Sequence, residues 1–210
     1  METEDRRQGR GDDTETRILD AAERLVQTRG FNGFSYADIA SELGITKASI
    51  HYHFPSKAAL GRALIERYAG RFAAELRAID AEVDEPGAKL DAYAALYADV
   101  LRGDLMCLCG MLAAEFHTLP EAMRDAIVGF FDANEVWLAR VLDAGGADAS
   151  LHVVGPSREA ARLIVSGLEG AMLVARPYRD VARFDAAAAQ LLASVARRPS
   201  EPVQGAPGAA

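Results

Sequence analysis

Between Phe31 and Leu60 the sequence reads as a short helix, a glycine-containing turn, a second short helix and the start of a long one. That order restricts what the chain can become. Ser35 is placed to cap the first short helix with Asp38 at its third position, and Ile39, Ala40 and Leu43 form its inner face. Gly44 supplies the reversal. Thr46 is placed to cap the next helix, from which Lys47, Ser49, His51 and Tyr52 project while Ala48 and Ile50 anchor it. A stub of this kind fits the major groove of double-stranded DNA.

Elsewhere the apolar residues recur at helical spacing, with no alternating strand pattern and no Asn-Gly hairpin, which predicts an all-α protein. Ile18, Leu19, Ala22, Leu25 and Val26 make one face of a first helix that stops at Gly30. From Ser56 to about Ala81 a long helix buries Leu60, Leu64, Tyr68, Phe72, Leu76 and Ile79 and joins two domains. The turn Asp84-Glu85-Pro86-Gly87 precedes a helix ending at Gly103, and a further one is expected from about Leu105 to His117. Thr118 and Glu121, with Pro120 between them, have the spacing of a capping box for a helix that Gly145-Gly146 would end. Ser157 would cap the next helix, to Arg176, and Asp185 would open the last, to about Arg197. The division expected is a disordered arm over 1–13, a helix-turn-helix domain over 14–55, a larger helical domain over 56–197 and a disordered tail over 198–210.

The chain has 210 residues and a formal net charge of -8. That balance argues against coating nucleic acid by bulk electrostatics but leaves room for a local basic cluster at Lys47 and Lys57. Arg6, Arg7 and Arg10 lie in an arm interrupted by acids, which suits a solvated terminus better than insertion into a minor groove. No apolar stretch is long enough to span a bilayer, and the charged start is unlike a signal peptide, so a cytoplasmic location and no membrane partner are expected. Cys107 and Cys109 are too close in sequence for a secreted disulfide framework.

The run Asp38-Ile39-Ala40 through Gly44-Ile45-Thr46-Lys47 and Ile50-His51-Tyr52-His53-Phe54-Pro55-Ser56-Lys57 closely resembles the TetR family of bacterial transcriptional regulators, and Ile18-Leu19-Asp20-Ala21-Ala22 through Gly30-Phe31 resembles that family's first helix. His51 stands where members usually carry Tyr. The resemblance implies a homodimeric, ligand-responsive repressor of a double-stranded DNA operator, released by a small-molecule inducer and paired through its last two long helices, where Ser166, Gly167, Gly170 and Ala171 would permit close approach.

Lys47 and Tyr52 are positioned as phosphate contacts, Ser49 and His51 as readers of base edges, and Lys57 as a phosphate grip near a helix start. His51 can equally be a half-exposed ring packed beside Phe54. By resemblance, these positions and Thr46 face DNA, with Ser35 or Tyr36 at the backbone. An inducer cavity, also implied by the family, would draw on Phe72, Cys107, Met111, Phe130, Phe131, Trp137 and Met172, although aromatic and Met stripes at helical spacing are ordinarily core. Tyr93, Tyr97, His117 and Glu169 would orient a ligand there, Glu169 having the alternative of an exposed carboxylate beside Arg162 or Arg176.

The segment Cys107-Leu-Cys109-Gly-Met-Leu-Ala-Ala-Glu115 through Leu119-Pro-Glu-Ala-Met-Arg124 resembles the NemR-like subgroup, which senses electrophiles and oxidants through a cysteine at the place of Cys107. With Asp104 capping the helix, backbone amides would favour a thiolate; the alternative is a small buried hydrophobe. Cys107 and Cys109 with only His117 nearby do not make a closed metal site, and no nucleophile elbow, phosphate loop or supported carboxylate pair is present, so neither catalysis, metal nor cofactor is expected. A helical ligand carrier without specific DNA binding is the rival reading.

Overall fold

The computed structural model describes the backbone of residues 2–197 and the side chains of 13–196. The tail 198–210 and the side chains of Arg6, Arg7 and Arg10 lie outside the described residues. The fold is all-α, apart from a two-residue antiparallel ladder between β1 (His152–Val153) and β2 (Ala196–Arg197).

Three helices form the N-terminal head: α1 (Glu2–Arg29), α2 (Tyr36–Leu43) and α3 (Lys47–His53). The predicted inner face of α1 is buried throughout, and Gly30 ends the helix at φ 81°. Ser35 and Asp38 form the reciprocal capping box of α2, and Gly44, at φ 65°, returns its amide to the Ala40 carbonyl. Thr46 caps α3 by accepting the Ser49 amide at 3.1 Å. Ile50 anchors α3 in the core, whereas Ala48 is exposed and does not.

α4 (Lys57–Glu82) starts at its Ser56 cap and buries the predicted stripe from Leu60 to Ile79. The remaining helices are α5 (Pro86–Arg102), α6 (Leu108–Ala114), α7 (Glu121–Ala147), α8 (Ser157–Ala175) and α9 (Val181–Val195). α7 packs on α4, α5 and α8, and α9 closes against α5 and α8.

Several predicted boundaries move. The helix expected over 105–117 is shortened to α6 plus a single 3-10 turn, Phe116–Thr118. Thr118 does not cap α7: its hydroxyl donates to the Glu115 carbonyl at 2.7 Å and accepts from Asn32, leaving Pro120 at the cap position. Gly145 and Gly146 do not end α7, which runs on to Ala147; Gly145 gives room to Leu151, whose Cδ1 would lie 2.5 Å from a Cβ there. Pro156 precedes α8, with Ser157 as its first helical residue, and α9 is opened not by Asp185 but by Asp180, which caps it through the Ala182 amide.

Candidate functional site: an exposed recognition helix and a buried polar core

On α3, Lys47 and His51 are exposed, Ser49 is half-buried and Tyr52 is 83% exposed. His51 does not pack on Phe54; its ring meets Tyr36 edge-on at 4.8 Å. A short capped helix thus presents a cation, two hydroxyl groups and an imidazole on one outward surface, fixed from behind by Ile50.

Two residues expected at that surface are drawn inward. Tyr36 is buried and donates its hydroxyl to the Phe54 carbonyl at 2.9 Å, tying α2 to the end of α3. The Lys57 ammonium binds the carbonyls of Phe31 and Phe34 and lies over both rings, 4.6 and 4.2 Å from their centroids. It clamps the α1–α2 turn because carbonyls and aromatic faces there out-compete solvent for a cation whose proton affinity burial lowers. Ser35 remains exposed beside Asp38.

Inside the bundle, polar groups are strung through an aromatic core. Tyr93 donates to the Asn134 side-chain carbonyl at 3.0 Å, which leaves Tyr97 as the donor in the 3.0 Å contact between the two hydroxyls; the Asn134 amide in turn donates to the Phe130 carbonyl. Tyr93 and Tyr97 are fully buried, and Phe72 lies 6.0 Å from each ring and 5.3 Å from Phe130. Trp137 stacks on Tyr93 but turns its N–H outward to Asp80. Phe131 and Met111 are half-buried, and Met172 is fully buried.

A second polar chain joins Tyr68, Cys107 and Glu169. The Tyr68 hydroxyl meets the Cys107 sulfur at 3.6 Å, and Cys107 and Glu169 lie near enough to act on each other's protonation. Glu169 is not the exposed carboxylate beside Arg162 or Arg176: its Oε1 is buried without a hydrogen-bond partner, and burial pushes its pKa up to about 7. Cys107 is 1% exposed and stands at the cap position before α6, which no side chain caps; Asp104 lies three residues earlier at φ 57°. The anticipated thiolate stabilisation is therefore reversed, since burial and then the neighbouring Glu169 push the thiol's pKa up. His117 does not join this cluster; it is exposed in the 3-10 turn because α6 ends three residues before it.

The segment that carries Cys107 is bonded to the head at both ends. Gln27 donates to the Met106 carbonyl at 2.9 Å, and the Glu115 carboxylate accepts the amides of Phe31 at 2.7 Å and Asn32 at 3.2 Å. Arg176 donates to the Thr28 carbonyl at 2.8 Å, while Arg67 of α4 bridges to Asp20 and Glu23 of α1. Sequence reasoning misses Gln27, Tyr68, Glu115 and Asn134. Only Asn134 carries a local signal, a polar residue one turn beyond Phe130 on an apolar helix face.

Residues 18–64 match the family described as bacterial regulatory proteins, tetR family, and residues 86–190 match the C-terminal domain of LmrA/YxaF-like transcriptional regulators. A TetR-family regulator from Agrobacterium tumefaciens shares the fold with a TM-score of 0.85 and 33% identity, over 88% of this chain and 98% of that one. The transcriptional repressor NemR of Escherichia coli K12 is 27% identical over 80% of this chain and 86% of its own length. The crystal structure of E. coli NemR in its reduced form superposes with a TM-score of 0.76 at 25% identity, over 90% of this chain and all of that one. The chain belongs to the TetR family. It is a helix-turn-helix transcriptional regulator, of a family whose members bind DNA operators and small-molecule ligands, typically as dimers. Among the described residues no helix is long and apolar enough to cross a membrane.

Proposed function

We propose that this protein is a cytoplasmic, homodimeric repressor released from a palindromic operator by a small-molecule inducer. In this reading the DNA-reading head spans 14–55 and the sensing and pairing domain 56–197. The observation that carries it is α3, whose Lys47, Ser49, His51 and Tyr52 stand outward on a helix anchored by Ile50 and capped by Thr46. Lys47 and Tyr52 take phosphates, Ser49 and His51 take base edges, and Ser35 approaches the backbone. Pairing is supported by Leu163, Leu173 and Val174, large apolar side chains left exposed on α8 beside Ser166 and Gly170. Gly167 belongs elsewhere, since it makes room for Leu191 of α9 within the chain.

The inducer enters the aromatic core around Phe72, Tyr93, Tyr97, Phe130 and Met172, with Glu169 as its polar anchor. Displacing α6 there strains the bond from Gln27 of α1 and the Glu115 bonds to the turn that follows α1, so a ligand that favours the displaced state shifts the population away from the spacing that fits DNA. A thiol-sensing role for Cys107 is the second reading, supported by the likeness to NemR; the buried thiol and its raised pKa favour reversible ligand binding.

Selection of duplexes from a random pool, followed by anisotropy titration and sedimentation, tests the assignment. A palindromic site with half-sites about 34–36 Å apart, or a multiple of it, bound by a dimer is expected. Equal affinity for scrambled duplexes, or a monomer at all concentrations, would overturn it.

A further inference from the structure

We propose that Glu115 is a positioning residue for operator recognition: its carboxylate, with the Lys57 ammonium as its counterpart, seats the turn 30–34 on the bundle, and this seat sets the spacing of the two recognition helices that a dimer presents. The inference deepens the regulator reading by naming a residue that sets its specificity, and it rests on that reading for its meaning on DNA.

The turn 30–34 carries the chain from α1 into α2, and α3 is tied to α2 by the Tyr36 hydroxyl on the Phe54 carbonyl. Whatever holds this turn therefore holds α3. Gly30 follows the last helical residue of α1 in the left-handed region, at φ 81°, an arrangement that brings successive amides together. The Glu115 carboxylate accepts two of them, from Phe31 at 2.7 Å and from Asn32 at 3.2 Å. A Cβ at residue 30 would stand 2.6 Å from the Glu115 Oε1, so glycine serves the contact as well as the turn. The carbonyls of Phe31 and Phe34 accept from the Lys57 ammonium, which also feels the charge of Glu115. One short piece of backbone thus gives its donors to an anion and its acceptors to a cation, and α6 and α4 supply the two charges. The Phe31 ring completes the seat: a Cβ on Gly61 of α4 would meet it at 2.8 Å and Met123 of α7 at 2.5 Å.

The two charged residues answer to different elements. Lys57 opens α4, whereas Glu115 stands at the end of α6, and the Gln27 bond to Met106 fixes the chain ahead of α6. A shift of α6 therefore reaches the turn through Glu115 even where α4 stays in place. Heads that are already ordered bind one half-site spacing well and others poorly. Loosened heads must be ordered on contact, so they lose affinity for the right spacing and tolerate the wrong one.

The test uses the full-length protein as wild type, Glu115→Ala and Glu115→Gln. Hydrogen exchange at the Phe31 and Asn32 amides is followed first, without DNA. In Glu115→Ala these amides should exchange at least about tenfold faster, and Glu115→Gln, which keeps one side-chain oxygen as an acceptor, should fall between. Affinity is then measured for the selected operator and for the same duplex with one base pair added or removed between its half-sites. The wild type should prefer the original spacing by at least about tenfold and Glu115→Ala by no more than about threefold, with Glu115→Gln again between. Gly30→Ala, which puts a methyl group where the carboxylate stands, should repeat the loss of preference with Glu115 intact. Unchanged exchange at Phe31 and Asn32 would overturn the seat. An equal loss of affinity for all three duplexes, the mark of a head that is merely less stable, would overturn the positioning role, as would a wild type indifferent to spacing. A wild type that binds no duplex sequence-specifically sinks the regulator reading instead, and the exchange measurement still decides whether Glu115 holds the turn.

Discussion

The head and the sensing bundle handle their polar side chains in opposite directions. On α3 Lys47, His51 and Tyr52 stand outward, while Ile50 and most of the His53 side chain are turned in. In the bundle Tyr68, Tyr93, Tyr97, Asn134 and Glu169 are turned inward; Tyr68 meets Cys107, Tyr93 joins Tyr97 to Asn134, and the Glu169 Oε1 has no partner. The outward arrangement makes a surface whose residues can change without cost to the fold. The inward one couples ligand contact to packing, because any group that binds a ligand there already supports the core.

The sharpest way to break this contrast is Tyr97→Ala. It removes a fully buried ring and the hydroxyl that donates to Tyr93, and should cost about 3–5 kcal/mol of folding stability, read from the urea midpoint. A loss below about 1 kcal/mol would mean that the core is already loose enough to hold a ligand without rearranging.

Glu169→Gln should act with the opposite sign. The folded-state pKa, about 7, lies above that of an ordinary glutamate, so between about pH 4.5 and 7 the native state holds more protons than the unfolded chain and stability falls as pH rises. At pH 8 the wild type carries the full cost, and the variant should be more stable by about 3 kcal/mol; at pH 4 the difference should vanish. A pH-independent difference would show that packing, and not ionisation, sets the cost of this side chain.

Tyr36→Phe should cost about 1 kcal/mol, the worth of the hydrogen bond to Phe54, and should leave the salt dependence of DNA binding unchanged. A change of salt slope with no change in stability would return Tyr36 to the DNA surface.

What can be read from the sequence follows the same division. The caps Ser35, Thr46 and Ser56, the turn at Gly44 and the stripe from Leu60 to Ile79 are local patterns in which spacing alone sets the geometry. The end of α6 and the fate of Thr118 are not legible, because both are decided by Asn32 and Phe31, more than eighty residues away. Lys57 illustrates the same limit. Its position near a helix start suits a phosphate contact, but the carbonyls and rings of Phe31 and Phe34 claim it only once α1 and α4 are brought together. Glu169 stands out in the sequence as unusual for its helix, yet its link to Cys107 and Tyr68 joins α8, the α6 segment and α4, which no spacing rule connects.

The smallest expected effect on stability is the most informative about the head. Lys47 is exposed and supports no packing, so Lys47→Ala should change folding stability by no more than about 0.5 kcal/mol. If its ammonium neutralises a phosphate, the variant should bind every operator sequence more weakly. The slope of log affinity against log salt should then fall by about 0.9 for each phosphate left unneutralised, and a dimer leaves two. His51→Ala should behave differently, because a base-edge contact carries sequence information: the ranking of operator variants should change while the salt slope does not. The ring's edge contact with Tyr36 supplies a rival role, orienting the α2 side of the head, and that role predicts a uniform drop in affinity with an unchanged ranking. Measuring both variants across a set of single-base operator changes at two salt concentrations separates the outcomes, since charge, base reading and helix orientation leave different signatures in slope, ranking and overall affinity.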